Sequence, residues 1–314
     1  MKHRDHRDPQ SRASHTRLLT ETLSGIWVFV QTRRLATLAM AVLVSIVMVA
    51  LLADVVATHD PLAQNVAQRL RPPGPDHYFG TDGFGRDIFS RVVHGSRVSL
   101  YVGLLAVSTA AVAGICVGTV SAYWGGMFDL VVQRVIDVLL GFPFLVLALI
   151  MVVALGSSPT SVAIAIALAL APQVARLSRA SALSIRGESY VEAARVIGAS
   201  SYRIIWRHLL PNSFPPVLAQ VTGYFGAAVV AETALSFLGL GVPPPFPSWG
   251  RMLQEGVRQY FEVAPWATVF PGLALSLTVL SSALLGDAVR DLLDPRHMLS
   301  ILARSQDSNP DSES

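Results

Sequence analysis

Residues 98–122 read VSLYVGLLAVSTAAVAGICVGTVSA, and no side chain in this stretch carries a charge. A helix that crosses the hydrocarbon core of a bilayer needs about 20 predominantly apolar residues. The whole chain has the same character, since 52% of its residues are hydrophobic and only 14% are charged. Soluble domains carry roughly 25% charged residues. The stretch therefore predicts a membrane-spanning helix.

Five further stretches approach the length of a membrane span: Leu35–Ala57, Val138–Leu155, Ser158–Ala175, Phe214–Leu238 and Val263–Gly286. Pro265 and Pro271 indicate that the last span is distorted or begins late, because proline disrupts a helix interior. The predicted fold class is an all-α integral membrane protein with about six transmembrane helices. A transmembrane domain over residues 35–300 follows an N-terminal arm, residues 1–34. The polar tail, residues 301–314, is expected to be disordered.

The distribution of basic residues predicts the orientation. Six spans place both termini on one side of the membrane, and 17 of the 24 lysines and arginines fall on that side. Cytoplasmic loops carry an excess of positive charge, so both termini are expected to be cytoplasmic. Residues 58–97 and 239–262 are then external loops. Residues 176–213 form a long, basic cytoplasmic loop.

One part of that cytoplasmic loop has a helix–turn–helix pattern. Residues 188–212 read ESYVEAARVIGASSYRIIWRHLLPN. Gly198 suits the position after a helix end, where φ is positive and a Cβ would be strained. Ser200 or Ser201 can cap a second helix, which is expected to stop at Pro211. A short amphipathic helix pair at the mouth of a bundle is suited to bind a partner.

These residues resemble the cytoplasmic Glu-Ala-Ala loop of ABC importer permeases. In that family the loop docks into a groove on the ATPase subunit and couples ATP hydrolysis to transport. The match covers the Glu-Ala-Ala run, the glycine after three more residues, and the later Leu-Leu-Pro-Asn segment. We call residues 188–211 the coupling loop. The resemblance implies these functional members: Glu188, Glu192, Ala193, Ala194, Gly198, Ala199, Tyr202, His208 and Pro211.

Two external segments narrow the resemblance, which covers roughly residues 35–300. Residues 80–87 read GTDGFGRD, and residues 232–241 read ETALSFLGLG. Both are similar to segments of peptide and nickel importer permeases, and more narrowly to the second permease of dipeptide and oligopeptide importers. The implied fold is that of a type I ABC importer permease. The expected gate or loop residues at the external end are Asp82, Gly85, Arg86, Asp87, Glu232 and Trp249.

The resemblance also implies partners and a substrate. The partners are a homologous second permease, two cytoplasmic ATPase subunits, an external substrate-binding protein and the lipid of the inner membrane. The ATPase subunits would bind ATP and Mg²⁺, and the two permeases would form the path for di- or oligopeptides. Nickel import is the alternative within the class. An ion-driven secondary carrier is the alternative from another class, but it would hold charged groups near the midplane, and the middles of the predicted spans lack them.

Two interpretations of Glu232 stay open. Intramembrane carboxylates are costly and are candidates for function, so Glu232 could form a polar contact that shapes an external gate. It also lies 18 residues after Phe214, or about 27 Å along a helix, where an ordinary acid at the outer interface would lie. Asp82 and Asp87 flank a glycine-rich turn without the acidic spacing of a calcium loop, and this turn is expected to order the external loop against a partner chain.

Catalysis is not expected of this chain. Lys2 is its only lysine, so it lacks a phosphate-binding loop of the type that ends in Gly-Lys-Ser/Thr. Its single cysteine, Cys116, excludes an intrachain disulfide. His59, His77 and His94 share a predicted external loop, but their spacings match no metal motif, and no metal site is expected. The net charge of +3 is too small to suggest nucleic acid.

Overall fold

The computed structural model describes residues 34–293, and all regular secondary structure within this range is helical. The helices are α1 Arg34–Leu51, α2 Ala53–Val56, α3 Ile88–Trp124, α4 Gly126–Leu140, α5 Phe144–Leu155, α6 Pro159–Arg186, α7 Ser189–Val196, α8 Ser201–Ile204, α9 Leu210–Phe237, α10 Trp249–Gln259 and α11 Trp266–Leu293. A short 3₁₀ turn covers Val66–Gln68, and a π-helical turn covers Ile205–Leu209. The predicted arm before Arg34 and the predicted tail lie outside the described residues.

The number of spans depends on how one bent pair of helices is counted. Within the described part of the chain, five segments are long and apolar enough to cross a membrane: α1, α3, α6, the continuous run Ser201–Phe237 and α11. Helices α4 and α5 qualify only together, and the chain bends by 96° between them. Pro143 stands at this bend, immediately before α5. The structure thus has five spans, or the predicted six if the bent pair is one span.

Helices α3 and α6 are longer than the spans predicted for them. Helix α3 begins at Ile88, ten residues before Val98, because the Asp87 carboxylate accepts the backbone N–H of Ser90 at 2.8 Å and caps the helix there. Helix α6 continues past the predicted end of its span to Arg186. The predicted loops 58–97 and 176–213 are therefore partly helical.

The predicted stop at Pro211 is wrong. The chain passes from α8 through the π-helical turn into α9 without a break, and Pro211 lies in the first turn of α9. In the π-helical turn the backbone N–H of Leu210 donates to the carbonyl of Ile205, one residue further back than in an α-helix. A widened turn relieves the clash that proline makes with the preceding turn. The second helix of the coupling loop is consequently the start of a membrane span.

Helices α3 and α6 pack closely along the centre of the bundle. A Cβ at Gly118 of α3 would lie 2.2 Å from the carbonyl oxygen of Ala175 on α6. A Cβ at Gly114 would lie 2.6 Å from Cβ of Val174. Small residues let membrane helices approach at this distance. Large apolar side chains cover the outer faces of the bundle, among them Leu35, Val112 and Val153, whose exposures of 69%, 66% and 64% suit contact with lipid.

Candidate functional site

The candidate residues lie near the two ends of α3. This helix has 37 residues, which corresponds to about 55 Å. The coupling loop packs beside its C-terminal end, where the Arg186 side chain donates to the carbonyl of Ala122 at 2.9 Å. The residues predicted to be external surround its N-terminal end. The bundle therefore separates two candidate functional surfaces.

Gly198 ends the first helix of the coupling loop with the predicted left-handed backbone. Its φ is +78°. The N–H of Ala199 donates to the carbonyl of Ala194 at 3.0 Å, and the N–H of Gly198 donates to that of Arg195 at 3.0 Å. These two bonds define the Schellman motif, which reverses the chain at a helix end. Ser200 then caps α8, with its Oγ 3.3 Å from the N–H of Arg203.

One face of the coupling loop is fixed to the bundle. Val191, Ala194, Ile204 and Leu209 are buried in a cluster with two small residues of α3 and α6, Ala122 and Ala182. Close by, the hydroxyl of Tyr123 donates to Oγ of Ser201 at 3.0 Å. This face of the coupling loop is therefore packed against the ends of α3 and α6.

The opposite face of the coupling loop exposes large apolar side chains around the turn. The exposed fractions are 88% for Val196, 84% for Ile197, 71% for Tyr202 and 54% for Trp206. Exposed large apolar side chains of this kind are candidates for contact with a partner. Of the residues nominated from the sequence, Glu188, Glu192, Ala193, Gly198, Tyr202 and Pro211 are exposed, Ala199 and His208 are half-buried, and Ala194 is buried.

Val196, Ile197 and Trp206 were not among the predicted functional residues, although all three are exposed large apolar residues of the loop. The sequence did contain a signal for two of them, because Val196 and Ile197 are large apolar residues directly before a helix-ending glycine, where no following turn covers them. The nominated Ala194 instead faces the bundle. The loop thus combines an inward face that anchors it and an outward face suited to a partner.

At the other end of α3, five charged side chains form a connected network, here called the charge cluster: Asp82, Arg86, Arg91, Arg251 and Glu255. Arg86 donates to Asp82 at 2.6 Å and to Glu255 at 2.7 Å, and Arg251 donates to Glu255 at 2.9 Å. The Arg91 side chain is only 1% exposed and lies 3.4 Å from Asp82. The cluster joins the turn before α3 to helix α10.

The turn that contains Asp82 and Gly85 is held by hydrogen bonds within the turn itself. One carboxylate oxygen of Asp82 accepts the backbone N–H groups of Phe84 and Arg86 at 2.8 and 3.0 Å. Gly85 has a φ of +74°, and a Cβ there would lie 1.8 Å from the carbonyl oxygen of Asn65. The position therefore requires glycine.

Glu232 is fully buried between α3 and its own helix. Its carboxylate accepts hydrogen bonds from Ser99 at 3.2 Å and from Ser236 at 2.8 Å. This burial favours a polar contact over the second interpretation, an ordinary acid at the outer interface. Trp249 is also buried, and its indole N–H donates to the carbonyl of Val92 at 3.0 Å. Both residues join α3 to later elements, which supports the interpretation of Glu232 as a structural polar contact at this end.

Arg91, Arg251 and Glu255 were missed by the sequence analysis. Arg86 and Glu255 are 169 positions apart, and no local pattern reports such a pair. The spacing of Arg251 and Glu255 by four residues on one helix was the available signal.

Two family models match the sequence. The model described as binding-protein-dependent transport system inner membrane component matches residues 114–298. The model described as N-terminal transmembrane domain of oligopeptide transport permease C matches residues 28–73. Together they cover most of the described helices and the whole coupling loop.

Curated relatives share sequence over most of the chain. A putative peptide transport system permease protein of Brucella suis is 44% identical over 264 residues, covering 84% of this chain and 88% of the relative. A dipeptide transport system permease protein of Alkalihalophilus pseudofirmus is 40% identical over 263 residues, covering 84% of this chain and 86% of the relative.

A solved structure shares the fold. The inward-facing MetNI methionine ABC transporter contains a chain that superposes with a TM-score of 0.54 at 17% identity, covering 65% of this chain and 96% of that chain. At this identity the likeness shows the fold and no more. It confirms the predicted architecture of an ABC importer permease.

Proposed function

Because the chain belongs to the family of binding-protein-dependent transport system inner membrane components, we propose that it is a permease subunit of an ATP-driven peptide importer. The observation that carries this proposal is the two-faced coupling loop. Its inward face is buried against α3 and α6, whereas its outward face exposes apolar side chains and Glu192. A loop of this design can bind a moving partner and pass the motion to the spans.

The connection from the coupling loop to the spans supports a mechanical role. Helix α8 continues through the π-helical turn into α9, so a displacement of α8 acts directly on that span. On the other side, α7 follows α6 after a break of two residues, Gly187 and Glu188. Closure of two ATPase subunits would move the loop and tilt α6 and α9 relative to the rest of the bundle. Such tilting would alternate the path between inward-open and outward-open states.

Membership of this permease family also implies the partners and the orientation of the chain. A second, similar permease would complete the path, and two cytoplasmic ATPase subunits would bind ATP and Mg²⁺. This chain has a single lysine, Lys2, and no phosphate-binding loop of the Gly-Lys-Ser/Thr type, so ATP would bind to those subunits. An external binding protein would deliver the substrate to the end that carries the charge cluster. Both termini would then be cytoplasmic in the inner membrane.

Peptides are the proposed substrate class, because the two relatives described above are named for peptide and dipeptide transport. Glu232 would act as a fixed polar contact at the external gate rather than as a titrating coupling group, since it is buried and bonded to two serine hydroxyls. No nickel role is proposed.

Uptake by cells with and without this chain tests the proposal. Labelled di- to pentapeptides and nickel ions would be offered separately at equal concentration. Loss of peptide uptake in cells without the chain, with nickel uptake unchanged, is the expected result. A loss confined to nickel would reverse the assignment of the substrate.

A matched control separates assembly from transport. Cells carrying Glu192→Lys retain the whole bundle, because Glu192 is exposed, but the reversed charge alters the outward face of the coupling loop. We expect the variant to reach the membrane at normal levels and to lose peptide uptake. Normal uptake by this variant would show that Glu192 lies outside the docking surface.

A further inference from the structure

The segment before α3 brings two histidines onto the carboxylate that caps this helix. Nδ1 of His77 lies 2.9 Å from Oδ1 of Asp87, and Nδ1 of His59 lies 3.9 Å from the same oxygen. The two imidazole rings are 4.8 Å apart between centroids. One donor atom from each residue can be chosen so that all three lie within 4.8 Å of one another. We propose that His59, His77 and Asp87 bind a divalent transition-metal ion of the zinc class.

The hydrogen bonds around the site leave the required donor atoms available. Asp87 uses Oδ2 to cap α3, accepting the N–H and the hydroxyl of Ser90 at 2.8 and 2.7 Å, so Oδ1 is not needed for the cap. Nε2 of His77 lies 2.9 Å from the carboxamide oxygen of Gln68. The contact with that oxygen favours the tautomer in which Nε2 carries the proton and Nδ1 is free to bind a metal. Metal-bound histidines are oriented in this way by an acceptor on the second ring nitrogen.

This arrangement places two acceptors face to face. Nδ1 of His77 and Oδ1 of Asp87, at 2.9 Å, would repel each other without a positive charge between or beside them. A metal ion between the two groups would supply that charge, and the convergence of His59 as a third donor favours such an ion. A tetrahedral zinc ion with bonds of about 2.0 to 2.2 Å holds its ligands roughly 3.3 to 3.5 Å apart, and the two separations from Oδ1, 2.9 and 3.9 Å, bracket that value.

The surroundings suit an ion with three protein ligands and one coordination position open to water. The side chains of Asp87 and His77 are 1% and 8% exposed, whereas that of His59 is 43% exposed. An ion would enter from the side of His59, replace the contact of its Nδ1 with the Thr58 hydroxyl at 3.0 Å, and keep a water as its fourth ligand. Two imidazoles and a carboxylate suit zinc, and also nickel or copper, better than magnesium or calcium. The Asp87 charge offsets the repulsion between a cation and the N-terminus of α3.

Bound metal would join three separate parts of the chain: the segment after α2, the turn at His77 and the first turn of α3. Such a joint would hold the residues before α3 against the charge cluster, since Asp87 and Asp82 lie in the same turn. The role is structural and does not depend on the substrate of the importer.

Zinc binding by the full chain, purified in its importer complex with a tag free of histidine, tests the site. In the parent protein of this test, three histidines of the N-terminal arm that could bind zinc themselves are replaced by glutamine: His3, His6 and His15. His59→Gln is the test variant, because this exposed side chain can be replaced without disturbing the fold. His94→Gln is the matched control, since His94 belongs to the same region but contacts Asp54 at 3.2 Å.

After removal of metal with a chelator and dialysis against Zn²⁺ alone, bound zinc is measured by mass spectrometry as equivalents per chain. We expect the parent and His94→Gln to hold one equivalent more than His59→Gln, and competition with a chromogenic chelator to show at least a tenfold loss of affinity in His59→Gln. Zinc should also raise the unfolding temperature of the parent but not of His59→Gln. Equal zinc contents in the parent and His59→Gln would overturn the proposal, as would an unfolding temperature of the parent that does not depend on zinc.

Discussion

Replacement of Gly198 by valine tests whether the geometry of the coupling loop transmits motion. The φ of +78° at this residue is accessible to glycine without strain. A side chain with a Cβ costs roughly 1–2 kcal/mol in the left-handed region, and a β-branched residue lies at the upper end of that range. No atom lies within 4 Å of the position that a Cβ would occupy, so the cost comes from the backbone alone. It shifts the local equilibrium of the turn by a factor of about 5–30.

This cost is too small to unfold a bundle of five or six spans, but it disfavours the Schellman turn between α7 and α8. We expect Gly198→Val to assemble with the ATPase subunits at normal yield and to lose peptide-stimulated ATP hydrolysis at least severalfold. The assay is reconstitution of the complete complex in lipid, with subunit retention and ATP hydrolysis measured on the same preparation.

Two variants isolate the backbone effect. Gly187→Val makes the same replacement two residues before α7, where φ is −84° and the nearest atom to a Cβ is 3.8 Å away, and it should hydrolyse ATP normally. Gly198→Asn should also remain active, because asparagine tolerates positive φ. Wild-type stimulation in Gly198→Val would refute the reasoning, as would equal losses in Gly198→Val and Gly198→Asn.

Three further predictions concern topology, packing and the buried acid. In a background without the native cysteine, an impermeant thiol reagent should label Gln64→Cys in intact cells and should not label Ser201→Cys. Both positions are exposed, but they lie at opposite ends of the bundle. The reverse labelling pattern would invert the proposed orientation. Gly118→Ala should lower the unfolding temperature in detergent, because overpacking costs about 1–3 kcal/mol, whereas Gly223→Ala, with no atom within 4 Å of its Cβ, should leave it unchanged or raise it. Glu232→Ala should destabilise the protein by about 1–3 kcal/mol, because it leaves buried hydroxyls unpaired. Glu232→Gln keeps one acceptor and the side-chain volume, so it should lose less stability. Equal unfolding temperatures for Glu232→Ala and the wild type would contradict this explanation.

The sequence predicted local geometry well where single residue types dictate it. Gly198 follows an apolar helical run and precedes two serines, so a left-handed helix end and a capped second helix were the expected outcome, and both are present. The delayed start of α11 follows in the same way from Pro265, the residue before the helix.

Prolines and charged residues inside helices misled the sequence analysis. Pro211 indicated a stop, but the π-helical turn before it accommodates the ring and lets the helix continue. Helix α4 was missed, since the charges of Asp129, Arg134 and Asp137 remove it from an apolar window. The structure explains two of these charges, because Asp129 accepts from Arg179 at 2.7 Å and Asp137 pairs with Arg176.

Contacts distant in sequence could not be predicted from one chain. The charge cluster depends on Glu255, which lies on a different helix from Arg91 and far along the sequence. His59 and His77 are separated by 18 positions in a segment with little regular structure. Their approach to Asp87 follows from how that segment folds over the start of α3, which the residue spacing does not encode.

The central claim is that this chain serves an importer that ATP drives, and the energy source can be measured directly. The complete complex, reconstituted in vesicles with the ATPase subunits facing the interior, would be given a labelled dipeptide and its binding protein outside. The account predicts that the peptide accumulates only when ATP is enclosed, and that ionophores which collapse proton and sodium gradients leave the rate unchanged. Accumulation without ATP under an imposed ion gradient would contradict it.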